Sequence, residues 1–166
     1  MKIPVSDHSD IRTTLASLGA KHLGSIDQTD RYLDFPDRSL LASDSGLRVR
    51  RVTGEPDVLT FKGPRQEGTE AKIREELESA CSPDGSIDAI LDALGMIELV
   101  TVHKRREVFA FDTCEVLLDE VDDLGCFVEV EGPTLKAVQS VCAKLQLSGT
   151  PIRAGYAQLL SEKLNQ

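Results

Sequence analysis

The strongest constraint on this chain comes from short runs in which apolar and charged residues alternate, with the charges doubled. In GLRVRRV (46–52), Leu47 and Val49 fall on one side of an extended backbone and Arg48 and Arg50 on the other. In VLTFKG (58–63), Leu59 and Phe61 oppose Thr60 and Lys62. In KIREELE (72–78), Arg74, Glu76 and Glu78 share a side, and in VTVHKRREVFAF (100–111) so do Val102, Lys104 and Arg106. CFVEVEG (126–132) sets Phe127, Glu129 and Glu131 against Val128 and Val130, while CEVLLDEV (114–121) holds Asp119 among apolar neighbours. A period of two over so many runs predicts antiparallel strands.

Helical periodicity is sparser. It occurs at Ile11, Leu15 and Leu18, ending at Gly19, and at Ile87, Ile90, Leu91 and Leu94, ending at Gly95, with Ser86 as the expected N-cap. Further helices are expected near 134–147 and within 156–164. Few helices and many strands give an α+β class built on a large antiparallel sheet or barrel. There is a faint internal repeat: residues 18–35 align with 94–111 at a constant offset, each following a helix that ends in Leu-Gly. PRQEGTEA (64–71) reads as a mobile polar connection and SPDGS (82–86) as a turn.

The bulk properties set limits. At 166 residues and 40% hydrophobic, the chain fits one domain, 1–166, with a real core. It has no apolar run long enough to span a bilayer and no signal-peptide pattern at its start, so no membrane partner is expected. A net charge of −9 argues against nucleic acid as a partner. Cys81, Cys114, Cys126 and Cys142 form no CxxC pair and the three histidines are scattered, which fits reduced thiols in a cytoplasmic protein rather than disulfides or zinc.

Two readings of the charged sides compete. A sheet with one solvated face shows this alternation for solubility alone. Such a face would mix signs, however, because like charges at i and i+2 repel. Carboxylates at Asp119, Glu129 and Glu131 within apolar strands are also costly without partners. If the charged side instead faces a closed interior, the guanidinium and ammonium groups suit a polyphosphate. The carboxylates then require a divalent ion, and hard oxygen donors with phosphates point to Mg²⁺ or Mn²⁺.

These residues resemble the CYTH superfamily, the triphosphate tunnel metalloenzymes, and most closely its class IV adenylyl cyclase branch. The resemblance rests on KIPVSD, DRYLDF, GLRVRR, LTFKGP, REELE, VHKRRE, LLDEVDDLGCFVEVEG and RAGYAQLL, which run in the family's order across nearly the whole chain. It implies a closed antiparallel β-barrel tunnel of about eight strands with helices packed outside. It also implies an enzyme that converts ATP to 3′,5′-cyclic AMP and pyrophosphate. Arg48, Arg50, Lys62, Arg74, Lys104, Arg106 and Arg153 then match substrate ligands, while Glu76, Glu78, Asp119, Glu129 and Glu131 match metal ligands or their supports.

The family's opening motif, ExExK, is met here only by Lys2, and both glutamates are missing. The repeat points to the same gap, so the expectation is a strand whose first residues are absent. True loss of the glutamates would leave a weak enzyme or a polyphosphate binder. Lys2 is the candidate general base if neighbouring cations lower its pKa. Alternatives to cyclisation are hydrolysis of inorganic triphosphate, thiamine triphosphate or a nucleotide, and non-catalytic binding. Tyr32 and Tyr156 could stack on a base, although packing is the commoner role. The helices leave room for a homodimer.

Overall fold

A computed structural model describes residues 1–64 and 74–164. Beyond Pro64, the connection expected at 64–71 lies outside the described residues, as do Lys72 and Ile73 of the strand expected at 72–78. The strands are β1 (Lys2–Val5), β2 (Lys21–Asp34), β3 (Gly46–Val52), β4 (Asp57–Lys62), β5 (Glu76–Cys81), β6 (Ile97–Phe111), β7 (Cys114–Val121) and β8 (Gly125–Glu131). The helices are α1 (Ser9–Ser17), α2 (Ser39–Ala42), α3 (Ser86–Ala93), α4 (Leu135–Lys144) and α5 (Tyr156–Leu164). The strands make one mostly antiparallel sheet in the order β1-β8-β7-β6-β2-β3-β4-β5.

The chain divides into two compact units: Met1–Asp27 with Lys104–Gly155, and Gln28–His103 with Tyr156–Gln166. In the first unit, β1 lies antiparallel to β8, β8 to β7, and β7 to the second half of β6. One face of these strands carries Ile3, Phe109, Phe111, Val116, Leu118, Val128 and Val130. Against it pack Ile11 and Leu15 of α1 with Val138, Val141 and Cys142 of α4. In the second unit, β3 pairs with β2 and β4, and β4 with β5. Leu33, Val49, Leu91 and Met96 form a smaller core, with Leu47, Leu59 and Ile87 at its edge. In each unit the helices cover the apolar face because that is where burial removes most hydrocarbon from water. Arg48, Arg50, Lys104, Arg106, Asp119 and Glu129 are left on the other face of their strands.

Local chemistry explains the helix ends. Gly19 (φ 74°) and Gly95 (φ 80°) adopt the left-handed conformation that closes α1 and α3. Their neighbours donate back into the last turn, Ala20 N to Leu15 O at 2.9 Å and Met96 N to Leu91 O at 3.1 Å. Thr134 caps α4 by accepting from Ala137 N at 3.2 Å. At α3 the cap is Gly85, not Ser86 as expected, and Asp84 accepts from Ser86 N at 2.9 Å. The sequence repeat has a structural counterpart, since α1–β2 and α3–β6 follow one another in the same order at an offset of 76 residues.

Leu15 has no exposed surface. Its replacement by alanine should cost about 2–5 kcal/mol in denaturant unfolding, through lost transfer energy and the cavity left behind. A cost below about 1 kcal/mol would show that α1 does not seal this core.

Candidate functional site

Strand register decides which charges meet. In the first unit Lys2 and Leu117 both lie opposite Glu129, Asp119 lies opposite Arg106 and Phe127, and Lys104 lies opposite Val121. Directly opposed residues share a face. Lys2, Lys104, Arg106, Asp119 and Glu129 therefore project to the side away from α1 and α4.

Arg106 is the centre of this group. Its Nε donates to Asp119 Oδ1 at 2.6 Å and its Nη2 to Asp119 Oδ2 at 2.5 Å, a two-pronged contact. The same Nη2 donates to Glu129 Oε2 at 2.9 Å. Lys2 Nζ lies 3.3 Å from Glu129 Oε1 and donates to the Ala154 carbonyl at 3.0 Å. Burial pushes the Lys2 ammonium below the usual lysine range, and attraction to Glu129 partly offsets this. Asp119 is 0% exposed and Lys104 is 5% exposed, so these two charges are shielded from solvent. Glu131 is exposed and faces Glu115. Arg153 is exposed and follows Ile152, which bridges to Lys2.

The second unit holds a matching group. Arg50 grips the buried Asp30 through Nε at 2.7 Å and Nη2 at 2.8 Å. Arg48 lies 3.7 Å from the same carboxylate, donates through Nη2 to Thr60 Oγ1 at 3.2 Å and sits 3.9 Å from Glu78. The Thr60 hydroxyl in turn donates a hydrogen bond to Glu78 Oε1 at 2.8 Å. Tyr32 lies opposite Arg48 in register; burial holds its hydroxyl above the ordinary tyrosine pKa, with Asp30 adding to the shift and Arg48 opposing it. Lys62 donates to Glu76 Oε1 at 2.9 Å. Arg74 turns to Asp44, reaching its carbonyl and its Oδ1 at 3.1 Å each.

The third arginine of GLRVRR behaves differently. Arg51 lies on the helix side, where it pairs with Asp57 and Asp88. Asp88 and Asp92 of α3 and Glu98 of β6 also receive Arg31. These pairs fasten α3 to the sheet and belong to the fold.

Among the described residues no three His, Cys, Asp or Glu side chains converge as a ready metal cage. Two carboxylates do converge, since Asp119 and Glu129 both reach one nitrogen of Arg106. Such a pair fits Mg²⁺ or Mn²⁺, ions commonly held by one or two carboxylates with substrate phosphates completing the shell. It does not fit a site built wholly from protein.

Residues 1–139 match the CYTH domain family. This chain belongs to that family. A Methanocaldococcus jannaschii protein provisionally named an adenylate cyclase is 31% identical over 131 residues, covering 79% of this chain and 74% of that protein. An Aeromonas hydrophila protein, adenylate cyclase CyaB, is 27% identical over 133 residues, covering 78% of this chain and 65% of that one. Among solved structures, a Pyrococcus horikoshii protein superposes with a TM-score of 0.80 at 28% identity, covering 98% and 97% of the two chains. A provisionally named adenylyl cyclase from Hippeastrum, described as having a dominant triphosphatase activity, shares the fold at a TM-score of 0.74 and 16% identity, with 98% and 92% covered. The CYTH sheet of this chain thus has counterparts in proteins linked to both chemistries.

Asp30 and Thr60 were not among the residues expected to form the site, yet they tie its second group together. The signal was present in DRYLDF, where Asp30 and Tyr32 share a side. It was hidden because β2 is polar on both faces over most of its length. The Arg106 cluster can be tested directly. Replacing Arg106 by leucine removes the two-pronged contact to the buried Asp119 and one partner of Glu129, and should cost about 3–5 kcal/mol in equilibrium unfolding. Adding Asp119→Leu should recover a large part of that loss, and a simple sum of the two single effects would show that the pair is not coupled.

Proposed function

We propose that this chain is a metal-dependent adenylyl cyclase of the class IV type, converting ATP to 3′,5′-cyclic AMP and pyrophosphate. The observation that carries this reading is the arrangement of basic and acidic side chains on the charged strand face of each unit, each group centred on an arginine that grips a buried carboxylate. The adenylate cyclase names of the sequence relatives favour cyclisation. In this reading the eight strands wall a closed tunnel.

Arg48, Arg50, Lys62, Lys104 and Arg106 would bind the triphosphate oxygens, and Arg74 and Arg153 would supply further positive charge. Asp119 and Glu129 would hold Mg²⁺ or Mn²⁺, with Glu76, Glu78 and Glu131 as further carboxylates for metal. Bound there, the ion neutralises phosphate charge and polarises phosphoryl oxygens. The reaction forms a bond from the ribose 3′-oxygen to the α-phosphorus and breaks the bond to the bridging oxygen, so that pyrophosphate leaves. The basic side chains align the chain of phosphates for in-line attack and stabilise charge on the departing group. Lys2 is the candidate acceptor of the 3′-hydroxyl proton.

A second reading keeps these side chains and lets water attack the terminal phosphorus, as a triphosphatase would. The same cations serve both reactions, so products must decide. Incubation with ATP and Mn²⁺ or Mg²⁺ should yield cyclic AMP and pyrophosphate, with loss of activity in EDTA. Orthophosphate without cyclic product would reject cyclisation and select the triphosphatase. Tight binding without either product would select a polyphosphate-binding module.

Glu129→Gln should raise the metal concentration needed for half-maximal activity by about 10–100-fold, read from Mn²⁺ titrations of initial rate. An unchanged metal requirement would remove Glu129 from that role.

A further inference from the structure

Among the described residues, two buried side-chain polar atoms lack a hydrogen-bond partner: Oε1 of Gln28 and Nε of Arg48. Gln28 is 6% exposed and Arg48 is 8% exposed. Buried polar groups in folded proteins are nearly always satisfied, and an unsatisfied one calls for a specific explanation. The two atoms have opposite needs, since the amide oxygen lacks a donor and the guanidinium N–H lacks an acceptor.

They lie on the same side of one strand pair. Gln28 opposes Val52, Asp30 opposes Arg50, and Tyr32 opposes Arg48. Gln28, Asp30, Arg50 and Arg48 therefore form a continuous row on the charged face of β2 and β3. Four residues along a strand separate Gln28 from the position facing Arg48, about 13 Å. A bound molecule that meets both needs must carry an oxyanion near Arg48 and a hydrogen-bond donor some way along the row.

Fully ionised inorganic triphosphate offers acceptors only and meets one need. A nucleoside triphosphate offers both, an acidic chain of phosphates at one end and N–H or O–H donors on its nucleoside. We propose that Gln28 is a specificity-determining residue, whose amide oxygen accepts a hydrogen bond from the nucleoside and so selects nucleoside triphosphates over inorganic triphosphate. This rests on the triphosphate reading above and extends it to the substrate's organic end. The donor is the ribose 2′-hydroxyl or a base amino group, which have this chemistry in common. A site built around such a bond discriminates sharply against a ligand lacking the donor, because the buried acceptor then stays unpaired.

The test compares wild-type protein with Gln28→Met, which keeps the side-chain length and removes the acceptor. Titration calorimetry with Mg²⁺ would use α,β-methylene ATP, its 2′-deoxy form, α,β-methylene ITP and inorganic tripolyphosphate. The expected result is nucleotide binding weakened by about 10–100-fold and tripolyphosphate binding changed by less than about twofold. The thermal midpoint without ligand should not fall, since the variant replaces an unsatisfied polar group with an apolar one of similar shape. If the amino group is the donor, wild-type protein binds the ITP analogue as weakly as the variant does; if the 2′-hydroxyl is the donor, the deoxy analogue behaves so.

Equal weakening of nucleotide and tripolyphosphate, or no change in either, would overturn the assignment while leaving the triphosphate reading intact. Failure of wild-type protein to bind any of the four ligands would overturn both.

Discussion

A carboxylate with no exposed surface must be neutralised where it stands, and Asp119 is such a group. Its two oxygens are taken by one guanidinium, and that guanidinium also reaches Glu129. The charged side of β6, β7 and β8 is arranged around this contact. Asp30 and Arg50 repeat the solution on β2 and β3. Ion pairs of this kind contribute little net stability compared with well-packed apolar groups, although breaking one is severe. Two of them, each among doubled charges, are therefore poor candidates for devices that merely hold the sheet together.

The pleat makes these contacts possible. Because side chains alternate, a strand that gives Val128 and Val130 to the core must send Phe127 and Glu129 to the other side. The helices then settle which side is which, since Ile11, Leu15, Val138 and Val141 need an apolar partner surface. Slipping any of these strands by one residue would bury charge beneath α1 and α4 and expose the valines. The core and the charged face thus specify each other, and neither register can change alone.

Much of this was legible in the sequence. The alternation in GLRVRRV and CEVLLDEV places those strands at their observed bounds, and the helix at 156–164 also matches. The facing of Arg48 and Arg50 follows from the period alone. What the sequence conceals is pairing across strands. Arg106 and Asp119 are 13 residues apart, and nothing in either run says that they grip each other. Asp30 was hidden by a strand polar on both sides, and α2 by having only four residues with none buried. Arg74, read as part of the charged wall, holds Asp44, a contact set by the fold around it.

The charge balance bears on how a ligand could enter. Lys2 and Arg106 stand against Asp119 and Glu129, and Arg48 and Arg50 stand against Asp30 and Glu78. Each group comes close to neutral by itself. A polyanion alone would draw the arginines away and strip the buried Asp30 or Asp119 of its guanidinium, at a cost of several kcal/mol. A cation alone would displace Arg106 from Asp119 and Glu129 and cost the guanidinium both contacts. If the triphosphate takes the arginines while a divalent ion takes the carboxylates, neither cost remains. The side chains exchange one set of partners for another, and the balance of charge survives. On this argument metal and triphosphate favour each other's binding, because each supplies the partner that the other removes.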